Sequence, residues 1–304
     1  MSEIRNKYVN SSALQYYLES LHITWTEALC FGIGEGLDFQ YINYENDKRI
    51  LVHKEDLFLC FCENMYFDLK TICLVGEGKN CLKLVKNMLK HNCTVPILFY
   101  DKETSRKRIK FLSRILSDEE IEVFDVYSQQ FIKYKIGEEN NLLNDSELLH
   151  RIPLAYIIYP RVELLNIEHM VVCAIKDNAE KMLHPSKLSR GIQGMETCLC
   201  DWEKQDKIDI YFQKNNWFEI ETGLLREFYA DFLKEAYEIT KLETIKHLET
   251  GYRELAFRWK CVISHDGILP NQNRNTILRE IIEMERKLCE EASNLKMNCC
   301  EKSG

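Results

Sequence analysis

The sequence has no Cys-x-x-Cys pair, only 5 prolines in 304 residues, and no surplus of positive charge. It also has no uninterrupted apolar run of the length a bilayer needs, about 20 residues. Each absence excludes something. Without Cys-x-x-Cys spacing, a zinc knuckle or a thioredoxin-type redox motif lacks its ligands. Few prolines, with 12 glycines, argue against long flexible linkers. The opening MSEIRNKYVN has no apolar signal core, so neither export nor a membrane partner is expected. The net charge is −8 and the pI about 5.6. Nucleic-acid binders usually carry a basic surplus, so nucleic acid is not an expected partner.

What the chain does have is the composition of a folded protein, 45% hydrophobic and 29% charged. Its 13 cysteines are odd in number and sit mostly in apolar runs, as in Cys60-Phe-Cys62 and Cys198-Leu-Cys200. A thiol in such a run behaves as a small hydrophobe. The expectation is reduced thiols in a cytoplasmic protein, with no metal and no cofactor.

The patterning predicts an α+β chain. Ser11 and Ser12 precede an apolar-periodic run, Leu14, Tyr17, Leu18 and Leu21, and read as helix caps. Thr24 with Glu27 reads as a second helix start, ending at the turn Gly32-Ile-Gly-Glu-Gly36. Beyond it Leu37, Phe39 and Tyr41 alternate with polar residues as in a half-buried strand. Further strands are expected at 71–75, 95–100, 121–127, 152–159 and 170–175. From Leu225 the apolar positions Phe228, Tyr229, Phe232, Leu233 and Ala236 fall at helical spacing and continue to Trp259; Ile277 to Leu295 repeats the pattern. The expected organisation is an α/β domain at 1–190 and a helical domain at 191–304.

Four features carry possible chemistry. Gly76-Glu-Gly78-Lys79 is either a tight β–α turn or a phosphate cradle, but it lacks both established glycine-rich phosphate fingerprints. The Gly32–Gly36 turn is either structural or one wall of a binding cleft, with Glu35 and Asp38 placed to meet a cationic amine. His169, at the start of an expected strand, is either a structural residue or a general base, since imidazole titrates near neutrality. His184 would lie on the adjacent strand. The basic run at 102–110, including Arg106, Lys107 and Arg108, reads as a solvated helix face or as a docking surface for an acidic partner.

Several of these residues together resemble a known family. Phe31-Gly-Ile-Gly-Glu-Gly-Leu-Asp-Phe39 is similar to the glycine motif of the butirosin-biosynthesis protein H family, and Arg226 to Ala236 and Glu280 to Leu288 are similar to its C-terminal helical region. The resemblance implies a papain-like domain followed by a helical domain. It implies an acyltransferase that moves a γ-glutamylated aminobutanoyl group from an acyl carrier protein to an amine of the aminoglycoside ribostamycin. The family's His-Cys pair falls on Tyr8-Val9, its strand histidine on His169, and its aspartate on His184. Valine is no nucleophile, which leaves three routes: Ser11 or Ser12 as nucleophile, Cys30 from the next helix, or direct aminolysis without an acyl-enzyme. Direct aminolysis is the favoured expectation, because a thioester is already activated and an amine needs only placement and loss of a proton. The resemblance then gives His169 as base, His184 as its neighbour, Tyr8, Gly34, Glu35 and Asp38 as acceptor-binding residues, and Arg106, Lys107 and Arg108 as the carrier-docking surface. The alternatives are a Ser-dependent hydrolase on the same fold and a catalytically inactive binding subunit.

Overall fold

The computed structural model describes residues 9–44, 47–53, 57–73, 86–90, 94–101, 106–117, 120–126, 128–135, 154–159, 166–204, 217–264 and 271–296. In chain order its main elements begin with α1 (Val9–Ser20), α2 (Glu27–Ile33), β1 (Leu37–Tyr44), β2 (Asp47–His53) and α3 (Leu57–Asn64). Six strands follow: β3 (Asp68–Cys73), β4 (Val95–Asp101), β5 (Arg106–Ile115), β6 (Glu120–Asp125), β7 (Gln130–Lys135) and β8 (Leu154–Tyr159). The helices α4 (Ile167–Leu183), α5 (Gly191–Glu203), α6 (Trp217–Thr240), α7 (Glu243–Ser264) and α8 (Asn271–Ser293) complete the chain. The fold is α+β, as the patterning predicts.

Packing gathers the described residues into two compact units, Met1–Cys30 with Glu55–Leu164, and Phe31–Lys54 with Leu165–Gly304. This differs from the expected division at residue 190. The reason is hydrogen bonding around β1. The Tyr41 N–H donates to the Ser189 carbonyl at 2.7 Å, and Asn178 Nδ2 donates to the Leu37 carbonyl at 2.7 Å. Those bonds tie β1 to the segment that follows residue 165.

In the first unit six antiparallel strands run in the order β3-β8-β4-β5-β6-β7. Strand side chains alternate between faces. Val95, Ile97, Leu112, Ile121, Val123 and Ala155 bury on one face. On the other, Tyr16 of α1 meets the rings of Phe111 and Phe124 at 4.7 and 5.4 Å, and Phe58 of α3 stacks on Tyr156 at 6.1 Å.

The basic run lies partly on β5 and is a strand, which corrects the expected helix face. Lys110 is not part of any solvated surface. It is buried, donates to Tyr134 Oη at 2.7 Å and pairs with Asp125 at 3.1 Å. Burial opposes its charge, but Tyr134 and Asp125 outweigh burial and hold its pKa above the ordinary lysine value.

In the second unit β1 and β2 form an antiparallel pair, and α6 and α7 are two helices broken at Lys241-Leu242, where Lys241 has φ 56°. Most positions read from the sequence are buried, Leu225, Tyr229, Phe232 and Ala236 on α6, Leu248, Tyr252, Leu255 and Trp259 on α7, Ile281, Leu288 and Ala292 on α8, while Phe228 and Ile277 are half-buried. The expected strand at 170–175 is a correction, because the segment is part of α4. Met170, Ala174, Asn178 and Met182 are buried four residues apart, with Val171, Ile175 and Ala179 beside them. That is one face of a helix. Asn166 caps it, its Oδ1 accepting from the His169 N–H at 3.2 Å. Among the described residues no helix is long and apolar enough to cross a membrane.

Candidate active site

Ser11 and Ser12 open the first turns of α1, and both hydroxyls donate to one oxygen of Glu27, each at 2.8 Å. Glu27 is the first residue of α2, so the two serines tie α1 to α2. The cap of α2 is Thr26, whose Oγ1 accepts from the Leu29 N–H at 3.1 Å; Thr24 does not serve, which corrects the expected start. A hydroxyl shared on a carboxylate that anchors a helix start is explained by structure alone. Tyr8 and the Gly76–Lys79 segment lie outside the described residues, as does the side chain of Val9. Cys30 is buried in α2.

Burial pushes the Glu27 carboxyl above its ordinary range, with the two serine hydroxyls pulling it down by less. The sign follows from linkage. A raised folded-state pKa means the folded protein holds that proton more tightly than the unfolded chain. The contribution is complete at acid pH and lost as pH rises through the raised value. Glu27→Gln keeps an acceptor for both hydroxyls and removes the titration. Urea unfolding of the two proteins, from acid to neutral pH, should therefore show wild type losing ground to the Gln variant as pH increases. A constant or opposite difference would refute the assignment.

His169 and His184 sit on one helix, not on adjacent strands. His169 lies in the first turn of α4 and His184 is its C-cap. Fifteen residues of helix separate them by about 22 Å at 1.5 Å per residue, so they cannot act on one proton. His184 is mostly exposed, with Nε2 3.9 Å from Glu180 of its own helix. His169 is half-buried, and the sulfur of Cys173 lies 3.5 Å from its Nε2 and 3.9 Å from its Nδ1. The sequence reading missed Cys173. As a strand, 169 and 173 would be about 13 Å apart at 3.3 Å per residue; as a helix, i and i+4 are neighbours. The i,i+4 His/Cys spacing was the available signal.

The Gly32–Gly36 turn is filled by packing. A Cβ on Gly32 would stand 2.0 Å from Cγ of Phe232, and one on Gly36 2.3 Å from the Phe31 ring. Gly34 lies buried between them, and Glu35 turns the chain with φ 54°. The two carboxylates expected to receive an amine already face cations. Glu35 is buried and bonded by Lys181 of α4, whose side chain is half-exposed. Asp38 accepts from its own neighbour Phe39 N–H at 2.7 Å and has Arg190 Nη1 at 3.9 Å. Asp177, one turn before Lys181, has its carboxyl raised by burial and then by Glu35, with Lys181 and Lys176 opposing. Lys181 is 12 residues, about 18 Å of helix, from His169. Glu35 is thus held at the opposite end of α4 from the imidazole, and the expected assembly of His169 with the glycine turn is not formed.

The most deeply buried charges of the second unit belong to Arg226 of α6 and Glu285 of α8, both fully buried. Nη2 and Nε donate to Oε1 at 2.7 and 3.1 Å. The Arg226 guanidinium lies 5.8 Å from the Trp259 ring. The two stretches that carry the second-half resemblance meet through this pair. Among the described residues no group of three or more His, Cys, Asp or Glu is arranged to hold a metal ion.

No curated protein matches the chain. The family model described as Domain of unknown function (DUF4872) matches residues 149–291, just under half of the chain, a stretch that includes His169, Cys173, Arg226 and Glu285.

Proposed function

We propose that the chain is an acyltransferase that moves an acyl group of the γ-glutamylated aminobutanoyl type from an acyl carrier protein thioester to an amine of an aminoglycoside, with His169 as general base. The motif resemblance supports the substrates and a papain-like domain at 1–190. The single structural observation in favour is His169 itself, fixed in the first turn of α4 by the Asn166 cap, half-buried, with a thiol at its ring. A thioester carbonyl is already electrophilic, so the protein's task is to place an acceptor and remove a proton. A positioned base contributes about 10²- to 10⁴-fold, and alignment of the reactants adds several kcal/mol more. Arg106, Lys107 and Arg108 on β5 are the proposed contact for the acidic carrier. Glu35 and Asp38 are not assigned to the acceptor, because Lys181 and Arg190 already answer them.

His169→Ala should lower the rate of amide formation about tenfold or more while the circular dichroism and unfolding midpoint stay as in wild type. The assay mixes loaded carrier protein with ribostamycin and follows product mass. Full activity in this variant would remove His169 from the reaction.

A further inference from the structure

We propose that Cys173 receives the acyl group before the amine does, so that transfer runs through a thioester on α4 and not by direct aminolysis. The inference rests on the acyl-transfer reading and adds the nucleophile that Val9 cannot supply. The geometry is local and firm in its cause: one turn of α4 brings the sulfur of Cys173 to 3.5 Å from Nε2 of His169. Both side chains are half-buried, so neither is sealed in the core. Of the other described cysteines of the second unit, Cys198 and Cys289 are buried, Cys200 is exposed and Cys261 is half-buried on α7.

The chemistry balances. Burial, then Asp177, raises the Cys173 pKa, with Lys176 opposing, so the resting side chain is a thiol and needs a base at the moment of attack. His169 takes the thiol proton as sulfur bonds to the thioester carbonyl carbon. The carrier's carbon–sulfur bond breaks, and its sulfur leaves with the proton that His169 holds. One thioester replaces another, with no oxidant or reductant. The acceptor amine then attacks the Cys173 thioester, His169 accepts the ammonium proton, and that proton returns to the Cys173 sulfur as the amide departs.

The test incubates the full chain with butanoyl-N-acetylcysteamine thioester, quenches in acid, and maps the acylated peptide by mass spectrometry. A parallel reaction contains ribostamycin and is scored for amide. The expected result is acylation on the peptide holding Cys173, absent in Cys173→Ala. In His169→Ala acylation should be slowed about tenfold or more, with unchanged circular dichroism in both variants. Amide product with no Cys173 adduct, or with full activity in Cys173→Ala, overturns the inference and leaves the acyl-transfer reading standing. Acylation confined to other cysteines also overturns it. Neither adduct nor amide overturns both.

Discussion

Arg226→Met should remove about 3–5 kcal/mol of folding stability, the range seen when one partner of a buried ion pair is deleted. Both side chains are completely shielded from solvent, and Glu285 takes its two described hydrogen-bonding nitrogens from the same guanidinium. Methionine fills much of the space of the arginine stem but gives the carboxylate no donor. The loss is then the cost of a carboxylate in an apolar core, not the modest net worth of the pair. Against a total of about 5–15 kcal/mol for an ordinary domain, it is a large share. The control that separates these terms is Arg226→Met with Glu285→Leu. Removing both charges leaves only packing, and such replacements are often neutral or stabilising by about 1–4 kcal/mol. Urea unfolding of the wild type, both single variants and the double variant gives the coupling directly. A double variant no more stable than Arg226→Met would show that the ion pair is not what fixes α6 against α8. Nη1 of Arg226 has no acceptor among the described residues, so the guanidinium carries some desolvation cost of its own. That favours recovery in the double variant.

The sequence made this pair's members visible and left their pairing hidden. Arg226 and Glu285 each stand inside a strongly periodic apolar run, which is why α6, α7 and α8 could be read with their buried faces. A run such as Phe228, Phe232, Ala236 has only one way to bury itself as a helix. Nothing local says that two charges 59 residues apart meet. The α4 segment failed for a different reason. Met170-Val171-Val172 is apolar at every position, and a short run of that kind reads equally as a buried strand or a buried helix turn. Period 4 becomes visible only when Asn178 and Met182 are included, and Asn178 is a polar residue buried by its bond to Leu37. Placing His169 and His184 on adjacent strands followed from that one choice, and so did overlooking Cys173. The opposite error occurred in the basic run 102–110, whose dense charge read as a solvated helix face although Arg106–Ile115 is a strand. The strand period is carried instead by Ile109, Phe111 and the register with Val95–Asp101. Gly191, read as part of a boundary, starts α5 with φ 56°, and a Cβ there would meet the Met182 carbonyl oxygen at 2.2 Å. What read as a domain boundary is a tight entry into a helix. Of the two readings of the 32–36 turn, structural or cleft wall, the packing favours the structural one, because the occupant against Gly32 and Gly36 is aromatic and internal.

Gly32→Ala should destabilise the protein by about 1–3 kcal/mol, the usual cost of overpacking a core. Two effects oppose each other at this position. Gly32 is the penultimate residue of α2, where alanine is the better helix former by about 1 kcal/mol. The added methyl, however, would stand 2.0 Å from Cγ of Phe232 and 2.2 Å from both Cδ atoms, well inside contact distance. The obstacle is a ring, not the free end of a flexible chain. Phe232 is fully buried, Tyr229 lies 5.5 Å from it, and the Phe228 ring on the same helix packs on Phe31 at 5.0 Å. Relief requires α6 or α2 to shift, and that spreads the cost through the second unit's core. Steric overlap therefore outweighs propensity, and the sign of the change is negative. Phe232→Ala alone should cost about 3–5 kcal/mol by leaving a cavity. In the double variant the methyl enters that cavity, so the combined loss should be smaller than the sum of the two single losses. Thermal and urea unfolding of the four proteins would show the difference. Additive losses, or a Gly32→Ala protein as stable as wild type, would mean that the Phe232 ring does not rest on Gly32. The glycine at position 32 would then need another cause, such as a ligand's approach to its backbone.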